Sequence, residues 1–332
     1  TLLLLFIGGN SLVKITNIDQ STQRVNQLSL PALDKSYELQ VEFILMSKSA
    51  QASFYITSQD ELSTLRNKFI EQKKQYDNSY QDLQQIVSKD PKLKQSSLEV
   101  DQTYKRFIKY VDNLFADKQT QLKLNKTLLT QLENIEINAE DANSMVLDII
   151  DIDGLEENHS RAYKAANSME NNFQSVVTNS ADMLTVKTLN TLDIVKNEQV
   201  YYLEEIERSL NIIRPAIIES NADLYNDLND YFENLANNVR GNSSLSANKK
   251  RLINAIEQTQ AELANAEKST DEALKQLKEL VAQATVLAFD LQQNVSSNVS
   301  TATIWTWIAM VIATLIAIIV ATVTVNRITK PL

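Results

Sequence analysis

Hydrophobic positions recur every three or four residues along most of this chain, which is the period of an amphipathic helix. Leu30, Leu33, Tyr37, Val41, Ile44 and Tyr55 form the first such series and predict the buried stripe of a first helix, interrupted early by Pro31. Leu62, Leu65, Phe69, Tyr76, Tyr80 and Leu83 carry a second helix to about Val87. Val100, Tyr104, Phe107, Val111, Leu114, Leu122, Leu129, Leu132 and Ile135 lie along a third, which runs from Pro91 to about Ile150. Leu252, Ile256, Leu263, Leu274, Leu277, Val281, Leu287 and Leu291 mark the last.

Polar punctuation sets the boundaries. Ser58 followed by Glu61 is a capping box, in which the hydroxyl accepts the N3 amide and the glutamate reaches back. Asp90 before Pro91 combines an N-cap with a proline at the first helical position. Asp151 to Gly154 closes the third helix, and Gly241 to Ser244 forms the last turn, with Ser246 as the expected cap of the final helix. Between Ser160 and Arg240 the pattern is too long for one bundle helix, so a reversal is expected near Lys196, Asn197 and Glu198, with Pro215 as another break. These lengths predict an all-α chain of two four-helix bundles stacked end to end and sharing two long helices. The proximal bundle would use about residues 10–118 with 270–302, and the distal bundle about 119–269.

The final helix runs on into a segment of another kind. From Leu291 to Asn326 no residue is charged, and Ile304 to Val325 is almost wholly apolar. About 22 residues at 1.5 Å each span roughly 33 Å, enough for a bilayer core. Trp305 and Trp307 sit at one end, where indoles prefer the interface, and Arg327 and Lys330 at the other. A transmembrane helix over 303–325 follows, with its basic end in the cytoplasm. The apolar opening, residues 1–9, is too short to span; it is read as the last turns of a first membrane helix, with a cleaved signal peptide as the alternative. Residues 10–302 would then lie outside the cytoplasm of a multi-pass inner-membrane protein.

Composition narrows the function classes. Four Gly and four Pro in 332 residues argue against the many tight turns of an α/β enzyme. A net charge of −10 argues against a nucleic-acid surface. Cysteine is absent and His159 is the only histidine, so nucleophilic and metal-based catalysis have little to draw on; no enzyme activity and no cofactor are expected. His159 reads as an exposed helix-start residue, and the acidic run Asp151 to Glu157 departs from the ligand spacing of a calcium loop.

The helix pattern over 10–302 resembles the helical bimodular (HBM) sensor domain of bacterial chemoreceptors and sensor kinases. Asn326, Arg327, Ile328, Thr329, Lys330, Pro331 and Leu332 resemble the opening of a HAMP relay domain, where a basic-Ile-x-x-Pro-Leu stretch follows the second membrane helix; the resemblance makes Pro331 part of the signal relay. The resemblance implies the sensing region of a methyl-accepting chemotaxis protein, or otherwise the input of a histidine kinase or cyclic-dinucleotide enzyme. It implies a homodimer, and either a small ligand, typically a carboxylate, bound inside a bundle or a docked periplasmic binding protein. Arg66 and Arg214 border apolar stripes at the right spacing to hold a carboxylate bidentately, or to lay their stems over the seam. Lys48, four after Ile44, carries the same ambiguity. Tyr76 belongs to a tyrosine series that either fills the core or lines a pocket for an aromatic or amine ligand.

Overall fold

The computed structural model describes residues 2–329, with side chains over 12–325, and these are helical throughout, apart from short turns. In chain order the helices are α1 (Leu2–Arg24), a π turn (Val25–Ser29), α2 (Leu30–Tyr55), α3 (Gln59–Val87), α4 (Pro91–Ile150), α5 (Leu155–Asn158), α6 (Ser160–Thr185), α7 (Leu189–Ile218), α8 (Ala222–Val239) and α9 (Leu245–Thr329). Lys330, Pro331 and the Arg327 side chain lie outside the described residues, as do the side chains of the N-terminal apolar run.

The caps act as their chemistry dictates. Ser58 Oγ accepts the Glu61 amide at 3.2 Å. Asp90 Oδ1 accepts the amides of Lys92 and Leu93 at 3.0 and 3.1 Å. Thr188 and Asn221 do the same for Thr191 and Leu224 at the starts of α7 and α8. Gly154 and Gly241 take positive φ, 77° and 86°, where a Cβ would be strained.

Four expectations are corrected. The chain reverses at 186–188 rather than near Lys196, because Thr188 caps a new helix there; Pro215 falls inside α7, three residues before its end. A second break before Ala222 adds α8, so three full-length helices rather than two separate α4 from α9. Ser244 rather than Ser246 caps α9, accepting the Ala247 amide. Pro31 does not end the first helix. Its missing N–H is preceded by one π turn, in which Leu30 N–H bonds to Val25 O, and the helix continues.

A fifth correction concerns α2, which carries two apolar stripes. The inward one is Ala32, Ser36, Leu39, Phe43, Met46 and Ala50, each at most 1 % exposed. The stripe expected to be core faces solvent instead: Tyr37 is 52 % exposed, Val41 57 % and Tyr55 77 %. Both have helical period, so period alone does not choose between them; the inward stripe is the one whose small residues let neighbouring helices approach.

The chain divides into two compact units. The first comprises residues 1–49, 67–109 and 265–332, and its core joins Leu39 and Phe43 of α2, Tyr76 and Leu83 of α3, Val100 and Phe107 of α4, and Ala273, Leu277 and Leu280 of α9. The second comprises residues 50–66 and 110–264, with a core drawn from α4, α6, α7, α8 and the start of α9. Both α4 and α9 supply residues to each unit.

The two cores repeat one another. Buried positions of α2 and α3 recur 130 residues later in α6 and α7: Ala32 and Ala162, Leu39 and Met169, Phe43 and Phe173, Leu62 and Leu192, Leu83 and Ile213, Val87 and Ile217 are all 4 % exposed or less. Both hairpin tips are built alike. Ser58 and Thr188 cap the second helix of each hairpin. Lys118 Nζ donates to Phe54 O at 2.5 Å, and Lys249 Nζ donates to Leu184 O at 2.6 Å, each ammonium satisfying a carbonyl at a helix C-terminus. Burial lowers the pKa of both lysines.

One contact works against stability. Burial, and then the Glu262 charge, raise the Asp117 pKa above its ordinary value. A carboxyl with a raised folded pKa penalises the folded state while ionised, and the penalty disappears as pH falls through that raised value to the unfolded one, near 3.8. Asp117→Asn is therefore expected to stabilise the protein slightly at pH 7, an effect that solvent screening keeps small. Thermal unfolding across pH checks this, with the gain shrinking as pH falls through the raised value and absent below the unfolded one.

Candidate functional site

The most distinctive chemistry lies in the core of the first unit, where α3 packs on α4. Helical spacing on α3 puts Tyr76, Tyr80 and Gln84 one turn apart, and on α4 it does the same for Ser97, Asp101 and Tyr104. Tyr76 and Tyr104 stack with ring centroids 4.2 Å apart and planes 22° apart. Phe43 of α2 meets Tyr76 edge-on at 5.8 Å and Phe107 at 4.7 Å. These rings fill the layer with their own side chains: Phe43, Tyr76 and Phe107 are each 0 % exposed.

Polar groups thread this aromatic layer. The Tyr104 hydroxyl donates to Asp77 Oδ1 at 2.5 Å, while Lys73 Nζ holds Asp77 Oδ2 at 2.7 Å. The Tyr80 hydroxyl donates to Ser97 O at 3.2 Å and accepts from Gln84 Nε2 at 2.6 Å. Gln84 Nε2 also reaches Ser97 Oγ at 2.8 Å. The Tyr76 hydroxyl is buried and has no hydrogen-bond partner. Burial is the first cause that pushes all three phenols up; the neighbouring carboxylates add to it, Asp101 acting on each of them. All three therefore stay protonated donors at any physiological pH.

The residues singled out from sequence do not converge. Tyr76 is buried in this layer, whereas Lys48, Arg66 and Arg214 are exposed on their helices. The reason is positional. Arg66 follows Leu65 between the deeply buried Leu62 and Phe69, and Arg214 follows the buried Ile213, so each falls on the flank of its seam and turns outward. Asp77 and Asp101 were missed; the signal available for them was an Asp next to Tyr76 and another three residues before Tyr104. Trp305 and Trp307 are 37 % and 64 % exposed.

Clefts occur in both units. One of about 420 Å³ in the second unit is lined by Lys196, Arg240 and Lys250 around the start of α9. Another, of about 600 Å³, holds His159 and Arg161. No group of three or more His, Cys, Asp or Glu side chains is placed to hold a metal among the described residues. The last part of α9 is long and apolar enough to cross a membrane, and none of its most apolar 18-residue stretch is buried.

No protein-family model matches this chain, and no curated protein does. Its all-α architecture, with helices as long as 60 and 85 residues, nevertheless has a counterpart of similar fold among solved structures. The particular likeness is to the TorS sensor domain in the crystal structure of the TorS sensor domain–TorT complex in the presence of TMAO. The TM-score is 0.63 at 11 % identity, covering 76 % of this chain and 99 % of that one. The sensor domain of the V. parahaemolyticus histidine kinase sensor TorS superposes more loosely, with a TM-score of 0.46 at 14 % identity over 81 % of this chain and 99 % of that one. At such identities the likeness is one of fold.

Proposed function

We propose that this chain is the extracytoplasmic sensor region of a bacterial transmembrane receptor. One observation carries the reading: α9 packs in the cores of both units and continues without a break into an unburied apolar stretch of membrane-spanning length. A sensor needs such an element, because a change of packing around it reaches the far end of the same rigid helix. Residues from about 10 to 302 would lie in the periplasm, with 303–325 in the inner membrane and the HAMP-like end in the cytoplasm.

The input is read as a docked protein of the periplasmic binding class rather than a small carboxylate. Two points support this. The TorS sensor domain of similar fold was solved with TorT bound. Here the cations that would clamp a carboxylate are exposed instead of facing a core. With a docked binding protein as the input, the output is read as a histidine kinase or cyclic-dinucleotide enzyme ahead of the chemotaxis transducer.

Topology fusions test the core of this reading. Alkaline phosphatase joined at Asn242 is expected to be active, and inactive when joined after Thr329; β-galactosidase should give the reverse. Equal activity of one reporter at both sites would sink the proposal.

A further inference from the structure

The internal repeat supplies a control for the tyrosine layer. The two α-hairpins share their buried positions, yet the places of Tyr76 and Tyr80 are taken in the second unit by Ile206 and Leu210. The start of α4 recurs in α8 with a shift of 132: Leu93, Val100 and Phe107 correspond to Tyr225, Phe232 and Val239, so Tyr104 corresponds to Ala236. All three tyrosine places are buried or nearly so in both units, and the second unit fills them with aliphatic side chains. The fold therefore does not require the tyrosines. The first unit spends a buried, unpartnered hydroxyl on a position where isoleucine packs well, and an orphaned buried hydroxyl weakens a core.

The arrangement around that hydroxyl is reciprocal. Tyr76 and Asp77 are neighbours on α3; Asp101 and Tyr104 are a turn apart on α4. One diagonal is made, with Tyr104 donating to Asp77. The other, Tyr76 to Asp101, is not made, although the register supports it. Tyr80 already reaches the Ser97 carbonyl, and in an antiparallel pair one turn back on α3 and one turn forward on α4 leads to Tyr76 and Asp101. Asp101 Oδ2 is taken by Lys105 Nζ at 2.6 Å, which leaves Oδ1 as an acceptor.

We infer that the α3–α4 contact of the first unit is a two-position switch, in which Tyr104–Asp77 holds one packing and a Tyr76–Asp101 hydrogen bond holds the other. The inference deepens the sensor reading by naming the element whose two packings an input would choose between. A partner protein shifts this equilibrium only by binding the two packings with different affinity. The orphaned hydroxyl keeps the observed packing from being too stable to leave.

Two substitutions that keep the ring and remove the oxygen test it. Tyr76→Phe removes the orphan, so the observed packing gains and the melting temperature of the intact chain rises, by about 2–4 °C for a change of this kind. Tyr104→Phe removes a made bond and leaves Asp77 without it, so the melting temperature falls. In a chimera joined after Thr329 to the kinase core of a characterised receptor, the two variants should push basal autophosphorylation in opposite directions. The thermal arm needs no assumption about signalling, so its failure and the failure of the sensor reading are told apart. A fall in melting temperature for Tyr76→Phe, or both variants moving output the same way, would overturn the switch.

Discussion

Phe43→Ala and Phe173→Ala are each expected to cost about 3–5 kcal/mol of stability, the range for emptying a large aromatic from a packed core. Both side chains are 0 % exposed, and they hold the same place in the two repeats. Phe43 touches Tyr76, Tyr104 and Phe107, so its loss leaves a cavity bounded by three rings that cannot all move into it. Phe173 sits in the separate core of the second unit, and the costs of the two substitutions should add to within about 0.5 kcal/mol. Val41→Ala and Tyr37→Ala, on the outward stripe of α2, should each stay within about 0.5 kcal/mol of wild type. Urea unfolding of the detergent-solubilised chain measures all four. A loss at Val41 as large as that at Phe43 would reverse the assignment of the two stripes.

That contrast shows what the sequence made legible. Helix ends with a polar cap and a proline or a break beside them, such as Asp90 with Pro91, were readable to the residue, because the donor–acceptor chemistry is local. The α6–α7 turn was not. Val186, Lys187 and Thr188 contain no Gly or Pro, and the cap is a threonine inside a polar run that offers several. Pro215 marked a real break but not its place: it sits in the last turn of α7, and the helix ends three residues later at Ile218. The repeat was hidden because buried positions conserve volume and polarity pattern, not letters: Leu39 becomes Met169 and Met46 becomes Val176. The site was half visible. A stripe of tyrosines can be read from spacing, but which hydroxyl lacks a partner depends on the register of α3 against α4, which no single helix encodes.

Ala282→Pro is expected to abolish communication along α9 and to cost about 3 kcal/mol or more. Ala282 is exposed and lies 37 positions into a helix of 85 residues, so its side chain contributes little and the effect isolates the backbone. Proline there removes the amide that bonds to Lys278 O, and its ring collides with that carbonyl, so the helix kinks or breaks inside the first unit, between the buried Leu280 and Ala284, upstream of the apolar stretch. Ala222→Pro is the control. It occupies the first helical position of α8 behind the Asn221 cap, where the amide has no helical partner, as at Pro91 of α4. It should change stability by no more than about 0.5 kcal/mol. Melting temperature and the autophosphorylation of the kinase chimera separate the outcomes. If Ala282→Pro destabilised the chain but left partner-dependent output intact, α9 would not be the element that carries the signal. The path would then have to run through α1 and α2, whose own proline at position 31 is already accommodated by a π turn, so that a second helix interruption would be tolerated where one is natural.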